Sequence, residues 1–201
     1  MIPLPYSESC ERNKAPILEV LQQILPSDGN ILEIGSGTGQ HIVHFAPHFP
    51  VLQWQPSERD DYLQGLTARV QREGSPNILP PIELDVLEQW PEGIFNAAYS
   101  ANTAHIMGWD AVCAMFVGLG VRLAEGGSYC LYGPFNQDGR FTADSNRVFD
   151  LQLRSRDQEM GLRDIEALES LANRSQMIFQ KQFPMPANNQ ILVFRKKGSQ
   201  A

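Results

Sequence analysis

Asn30-Ile-Leu-Glu-Ile-Gly-Ser-Gly-Thr-Gly39 is the stretch on which the fold turns. Residues 30–34 form a short apolar run of the kind that makes a buried strand. The run breaks directly into glycines at 35, 37 and 39, ahead of a short helical stretch ending near Pro47. Glycine lets a ligand lie against the backbone, and a helix start offers free N–H groups. Strand, glycine turn and helix therefore stand in the order that a nucleotide-like ligand needs. Upstream, residues 15–25 align Ile17, Leu18, Leu21, Ile24 and Leu25 on one stripe with Pro16 in the first turn, so a helix leads into the strand. Downstream, strands are expected at 51–54, 82–84, 95–100 and 128–132, with helices at 59–72 and 110–123 and a turn at Gly126-Gly127. After Gly133-Pro134 a polar stretch carries helices at 144–159 and 164–172, and strands at 176–182 and 190–195 flank a turn at 184–189. Strands alternating with helices specify an α/β sheet. With no repeat or linker in 201 residues, one domain spanning 1–201 is expected.

Composition narrows the function. Hydrophobic residues at 42% and charged residues at 19% make an ordinary globular chain. Sixteen Lys and Arg against 23 Asp and Glu give a net charge of -7, which disfavours nucleic acid, because phosphate backbones reward clustered positive charge. Cys10, Cys113 and Cys130 are far apart and contain no C-x-x-C pair, so no disulfide framework or zinc site is indicated and a reducing compartment fits. Residues 1–10 carry prolines and a glutamate where a signal peptide has a basic start and an apolar stretch. The longest apolar run, 111–121, is about half of the roughly 20 residues a membrane helix needs. A soluble cytoplasmic protein with no membrane partner is expected.

Charge chooses the ligand. A dinucleotide fingerprint prefers G-x-G-x-x-G, but Gln40 holds its third glycine position, and Glu33 at the strand end repels a pyrophosphate. S-adenosylmethionine carries a sulfonium and an ammonium and no phosphate, so the same Glu33 suits it. Without a ligand the motif is a tight strand-to-helix turn. Glu58 follows the second strand at the distance where an acid meets ribose hydroxyls in nucleotide-binding α/β folds; otherwise it starts a helix, beside Asp60 and Asp61. Asp85 ends the third strand and can accept from an adenine amino group or cap a helix. Asn102 and His105 follow the fourth strand, at the sheet edge where such folds place ligands; His105 is a candidate general base or a histidine satisfied inside the core. His41, His44 and His48 read as helix surface, with no acid or cysteine to complete a metal set. Five arginines from Arg140 to Arg163, mixed with acids, read as a salt-bridged solvated helix, or else as an anchor for a carboxylate or phosphate.

Several longer blocks now make the chain recognisable. They are Glu11-Arg-Asn-Lys-Ala-Pro-Ile17, Leu32-Glu-Ile-Gly-Ser-Gly-Thr-Gly-Gln-His41, Trp54-Gln-Pro-Ser57, Leu84-Asp-Val86, Tyr132-Gly-Pro-Phe135, Ser145-Asn146 with Phe149-Asp150, and Met185-Pro-Ala-Asn-Asn189. Over nearly its full length the sequence resembles class I S-adenosylmethionine-dependent methyltransferases. Within them it is most similar to the family called methyltransferase-like protein 26 in animals and a domain of unknown function in bacteria. The resemblance implies a Rossmann-like three-layer sandwich whose seven-stranded, mostly parallel sheet has a final antiparallel strand, with residues 1–28 as a helical lid. It carries cofactor roles onto Glu33, Gly35, Gly37, Gly39 and Asp85, and with them Ser36, Glu58, Val86 and Asn102 are assigned to cofactor binding. The family pattern has Pro-Ser-Asp after the second strand where this chain has Glu58.

The expected activity is methyl transfer to an unidentified acceptor, a small molecule ahead of a protein side chain. His105 is the first candidate for acceptor positioning or proton removal, and Tyr132, which ends the fifth strand, is the second. Arg12, Asn13, Asn146, Arg163, Asn188 and Asn189 are expected to gather as lid and acceptor pocket, although Asn146 can equally cap a helix and Asn188-Asn189 form a turn. The rival readings are a non-catalytic binder of S-adenosylmethionine or S-adenosylhomocysteine, and a nicotinamide-dependent oxidoreductase, which Glu33 disfavours.

Overall fold

The structure, a computed structural model, describes residues 3–198. Residues 1 and 2 of the expected lid, and residues 199–201, lie outside the described residues. The first helix, α1 (Glu8–Ile24), starts well before the apolar stripe because Ser7 caps it, accepting a hydrogen bond from the Cys10 N–H, and Glu8 and Glu11 suit the first turn. Pro16 consequently falls inside the helix and not in its first turn. Buried Ile17, Leu18, Val20 and Leu21 hold the helix in place across the missing N–H.

Then follow β1 (Gly29–Ile34), the glycine turn, α2 (Gln40–Phe45) with one further 3-10 turn, β2 (Leu52–Glu58), α3 (Asp60–Glu73), β3 (Ile82–Glu83) and β4 (Phe95–Ala101). The second half comprises α4 (Trp109–Arg122), β5 (Leu123–Gly133), β6 (Phe135–Gln137), β7 (Arg140–Phe141), α5 (Asp144–Arg156), β8 (Arg163–Asp164), α6 (Ile165–Arg174), β9 (Met177–Met185) and β10 (Asn189–Lys196). The main sheet has the order β3-β2-β1-β4-β5-β10-β9. β1 to β5 pair in parallel, and β10 runs antiparallel to both β5 and β9. This is the expected Rossmann-like sheet of seven mostly parallel strands with its last strand reversed. The chain steps one way from β1 and the other way from β4, so the crevice lies beyond the ends of these two strands.

Three departures from the sequence reading have local causes. β2 continues through Pro56 to Glu58. Trp54 and Glu58 bond toward the β3 side, through Asn77 and Leu84, and Pro56, which alternates with them, faces the same way where no residue of β3 stands opposite. Its missing N–H therefore breaks no ladder bond, and its carbonyl is covered by Gln55 Nε2 at 3.2 Å. Gly126-Gly127 is a bulge inside β5 and not a turn before it: the register slips between Phe95 and Ala97, with Gly126 at φ +72. A second, three-stranded sheet, β7-β6-β8, had no signal, because strands of two or three residues show no periodicity.

The two faces of the main sheet carry separate cores. Ile31, Trp54, Ala97, Cys130 and Ile191 pack with Ile17 and Leu21 of α1 and Phe45 of α2; Leu32, Ala98, Leu131, Leu192 and Phe194 pack with Met115 and Phe116 of α4 and Leu168 of α6.

Candidate functional site

All three turn glycines are left-handed, at φ +70, +54 and +74 for Gly35, Gly37 and Gly39. Packing explains two of them. A Cβ on Gly35 would stand 2.7 Å from Thr103 Cγ2, and one on Gly39 2.9 Å from Leu66 Cδ1. A Cβ on Gly37 would meet nothing within 4 Å, so the middle glycine looks into open space where a ligand can run. Beside it, Glu33 is only 2% exposed, and its Oε2 has no hydrogen-bond partner among the described residues. Burial pushes its carboxyl up to about 7; the Ser36 hydrogen bond pulls it back and the nearby Glu58 charge adds to the rise. A buried acid with a vacant oxygen is a socket for a cation.

Around the socket, Glu58 ends β2 and reaches back to the turn, its Oε2 accepting from the Gly37 N–H at 2.7 Å and its Oε1 from the Arg59 N–H at 2.9 Å. Asp85 follows β3, accepts from the Leu87 N–H at 3.0 Å and faces Arg59 Nε at 3.4 Å, while Val86 is buried in the core. Asn102 follows β4 at φ +60, held by its N–H donating to the Tyr132 carbonyl at 2.9 Å. A non-glycine residue in that conformation is strained unless its surroundings fix it. These residues stand at the carboxyl ends of β1, β2, β3 and β4.

α1 is strapped across the same edge. Gln40 Oε1 accepts from the Ser7 N–H at 2.6 Å and from Thr38 Oγ1 at 2.9 Å, and its Nε2 donates to Glu11 at 2.6 Å. Arg69 donates to the carbonyls of Thr38 and Pro5, both at 2.6 Å. His41 overturns its reading as helix surface: it is buried, with Nε2 2.7 Å from Asn13 Oδ1 and Nδ1 3.4 Å from the Tyr99 hydroxyl, and burial pulls it down to about 4. Tyr132 shares this face; burial raises its phenol and the Asn13 side chain works the other way. Asn13 thus joins α1 to both.

On the opposite face, His105 is 5% exposed. It stands edge-on to Phe149 of α5, with 5.3 Å between centroids, and burial together with the Arg163 charge pulls it down to about 4. Arg163 is no free anchor: Nε donates to the Ala104 carbonyl at 2.9 Å and Nη2 to the carbonyls of Met107 and Glu159, so the guanidinium clamps the loop that carries His105. Asn146 is buried in the first turn of α5 and donates to Thr142 Oγ1 at 2.9 Å and to the Asn188 carbonyl at 3.2 Å. Asn188 reaches Ser145 Oγ at 3.0 Å, whereas Asn189 closes its own turn through the carbonyls of Pro186 and Ala187. Arg12 lies outside the crevice, paired with Glu8 at 3.1 Å on the exposed side of α1.

The expected pocket is therefore split. Asn13 and Tyr132 belong to the α1 face, His105, Asn146 and Asn188 to the α5 face, and Arg12 to neither. Sequence reasoning missed Gln40, Thr103, Arg69, Tyr99 and Gln190. Only Gln40 carried a signal, as the residue that breaks the glycine spacing.

A family model described as a protein of unknown function, DUF938, matches residues 4–196. Among solved structures, CalO1, a methyltransferase in calicheamicin biosynthesis in its SAH-bound form, matches with a TM-score of 0.73 and 16% identity, over 92% of this chain and 54% of its own. The mitomycin 7-O-methyltransferase MmcR matches at 0.79 and 16% identity, over 94% and 54%. An O-methyltransferase family protein from Burkholderia thailandensis matches at 0.79 and 11%, over 93% and 57%. The chain spans about half the length of these proteins, and at such identities the likeness is one of fold.

Proposed function

We propose that this chain, which belongs to the DUF938 family of proteins of unknown function, is an S-adenosylmethionine-dependent methyltransferase acting on a small-molecule acceptor. The observation that carries the reading is the buried Glu33 carboxyl, whose Oε2 has no partner among the described residues, near the glycine turn with its open face at Gly37. An ammonium completes that oxygen, and a pyrophosphate is repelled by it. The solved methyltransferases of the same fold support the reading, CalO1 with SAH bound among them. The blocks that resemble methyltransferase-like protein 26 support a place beside that family.

In this reading Glu33 faces the amino group of the cofactor, and Gly35, Ser36, Gly37 and Gly39 leave room for its chain. Glu58 meets the ribose, Asp85 and Val86 meet the adenine, and Asn102 closes the crevice from β4. When bound, the cofactor supplies an electrophilic methyl on sulfur. His105, neutral at pH 7 because burial lowers its pKa, takes a hydrogen bond or a proton from the acceptor. Tyr132, kept protonated by burial, remains a donor. α1, within residues 1–28, acts as the lid, and the protein works in the cytoplasm as one domain. Holding the reactants in line away from water supplies much of the rate.

Calorimetric titration with S-adenosylmethionine, S-adenosylhomocysteine and NAD tests this. Selective binding of the adenosyl ligands in the micromolar range, about -8 kcal/mol, and its weakening in Glu33→Ala and Asp85→Ala, is the expected result. Binding of NAD alone, or of none of the three, overturns it.

A further inference from the structure

The α5 face of the crevice holds another buried polar atom without a partner. Gln190, near the start of β10, is 8% exposed, and its Oε1 is enclosed with no hydrogen bond among the described residues. The next residues on the same side of β10, Leu192 and Phe194, are fully buried core side chains. An amide oxygen left unpaired among them is unfavourable unless something donates to it.

The register locates that donor. Gln190 stands opposite Gly133 in the β10 and β5 pair, and residues directly opposite present their side chains on the same face. Gly133 brings no side chain to that face, so the His105 ring lies over it: a Cβ there would be 3.5 Å from His105 Nδ1 and 3.7 Å from Phe135 Cζ. His105 is edged by Phe149, and Asn146, one turn earlier on α5, bonds the Asn188 carbonyl just before Gln190. The Gln190 amide and the His105 imidazole thus meet at Gly133 on one face of the sheet, with the Phe149 ring against the imidazole. The neighbouring charges are engaged elsewhere: Arg163 on loop carbonyls, and Asp150 on the Leu162 N–H and Arg154.

We propose that Gln190 and His105 form an acceptor subsite for a neutral small molecule that offers an O–H or N–H to the Gln190 carbonyl oxygen, and that the site discriminates against carboxylates and phosphates. This rests on the methyltransferase reading for the identity of the molecule as methyl acceptor. Its geometry is independent of that reading. No bond to the cofactor is involved in the recognition itself.

The test is a titration of protein labelled with 13C in its histidine rings, with and without S-adenosylhomocysteine, using phenol, benzamide and benzoate as probes. The His105 ring signal is assigned by its loss in His105→Gln. Saturable shifts of that signal by phenol and benzamide, with benzoate at least tenfold weaker, are expected. Gln190→Leu should weaken the neutral probes at least tenfold and leave S-adenosylhomocysteine affinity within twofold, which also shows that the variant is folded; Gln190→Met serves if Leu is not tolerated. The proposal is overturned if benzoate binds as well as phenol, if the Gln190 variants bind the probes like the parent, or if no probe moves the His105 signal. Failure of S-adenosylhomocysteine to bind strikes the methyltransferase reading instead, since the titrations without it still judge the subsite.

Discussion

The crevice has two roofs built in different ways. α1 covers the glycine turn through polar straps: Gln40 to Ser7 and Glu11, Arg69 to Pro5 and Thr38, and Asn13 to His41. α5 covers the end of β5 with buried Asn146 and Asp150 and an aromatic edge against His105, behind which Arg163 pins the loop. Each side holds an enclosed oxygen without a partner among the described residues, and these two differ in kind. Glu33 is an acid and asks for a cation; Gln190 is an amide and asks for a neutral donor. In the proposed function this contrast separates cofactor recognition from acceptor recognition by charge, across one sheet edge.

The comparison breaks most visibly at Glu33. Glu33→Gln should weaken S-adenosylhomocysteine binding roughly a hundredfold, about 3 kcal/mol, measured by calorimetry, while Gln190→Leu leaves it unchanged; equal losses would merge the two sides. Next is pH. The unliganded Glu33 carboxyl lies near 7, above the ordinary 4.5, so its contribution to stability is fully present below pH 4.5 and is lost as pH rises through 7. His41 and His105 lie near 4, below the ordinary 6.5, so theirs is present above pH 6.5 and lost as pH falls through 4. The windows overlap and the two histidines outweigh the one acid, so thermal melts should show stability rising from pH 4 to about 6.5, and Glu33→Gln should steepen that rise, by about 3 kcal/mol at most.

Arg163→Met should lower stability by about 2 kcal/mol, through loop carbonyls that lose a charged donor, in denaturant titration, with cofactor affinity within threefold. Gly37→Ala should cost only about 1 kcal/mol of stability for its left-handed backbone, yet reduce cofactor affinity, because its methyl enters the open face. Gly35→Ala should lose more stability, since it meets Thr103. Arg12→Ala should change neither binding nor melting beyond about 0.5 kcal/mol, as expected for an exposed ion pair.

What the sequence disclosed follows the range of the interactions involved. Glu33 to Gly39 is a local statement, because left-handed backbone calls for glycine and the strand before it is a plain apolar run, so the fold and its glycine turn were legible. Gln40 looked like a missing glycine and is in fact the bolt of the α1 strap, a role that depends on Ser7 and Glu11 being folded against it. His41 lies on a short helix whose outer face is covered by α1, which no periodicity reveals. Arg163 resembled its arginine neighbours, and only the folded loop at 104–107 turns it inward. Gln190 sits in a run that reads as a strand, and nothing local marks its oxygen as unpaired.

In the proposed function, the socket at Glu33 also makes cofactor capture an exchange. Near pH 7 the free site holds a proton for about half of the time, and an arriving ammonium displaces it into solution. Affinity should therefore climb about tenfold per pH unit on the acid side and flatten above neutrality. The heat of binding should differ between phosphate and Tris by the proton each buffer takes up, so that in the proposed function the grip on the cofactor is set partly by the acidity around it.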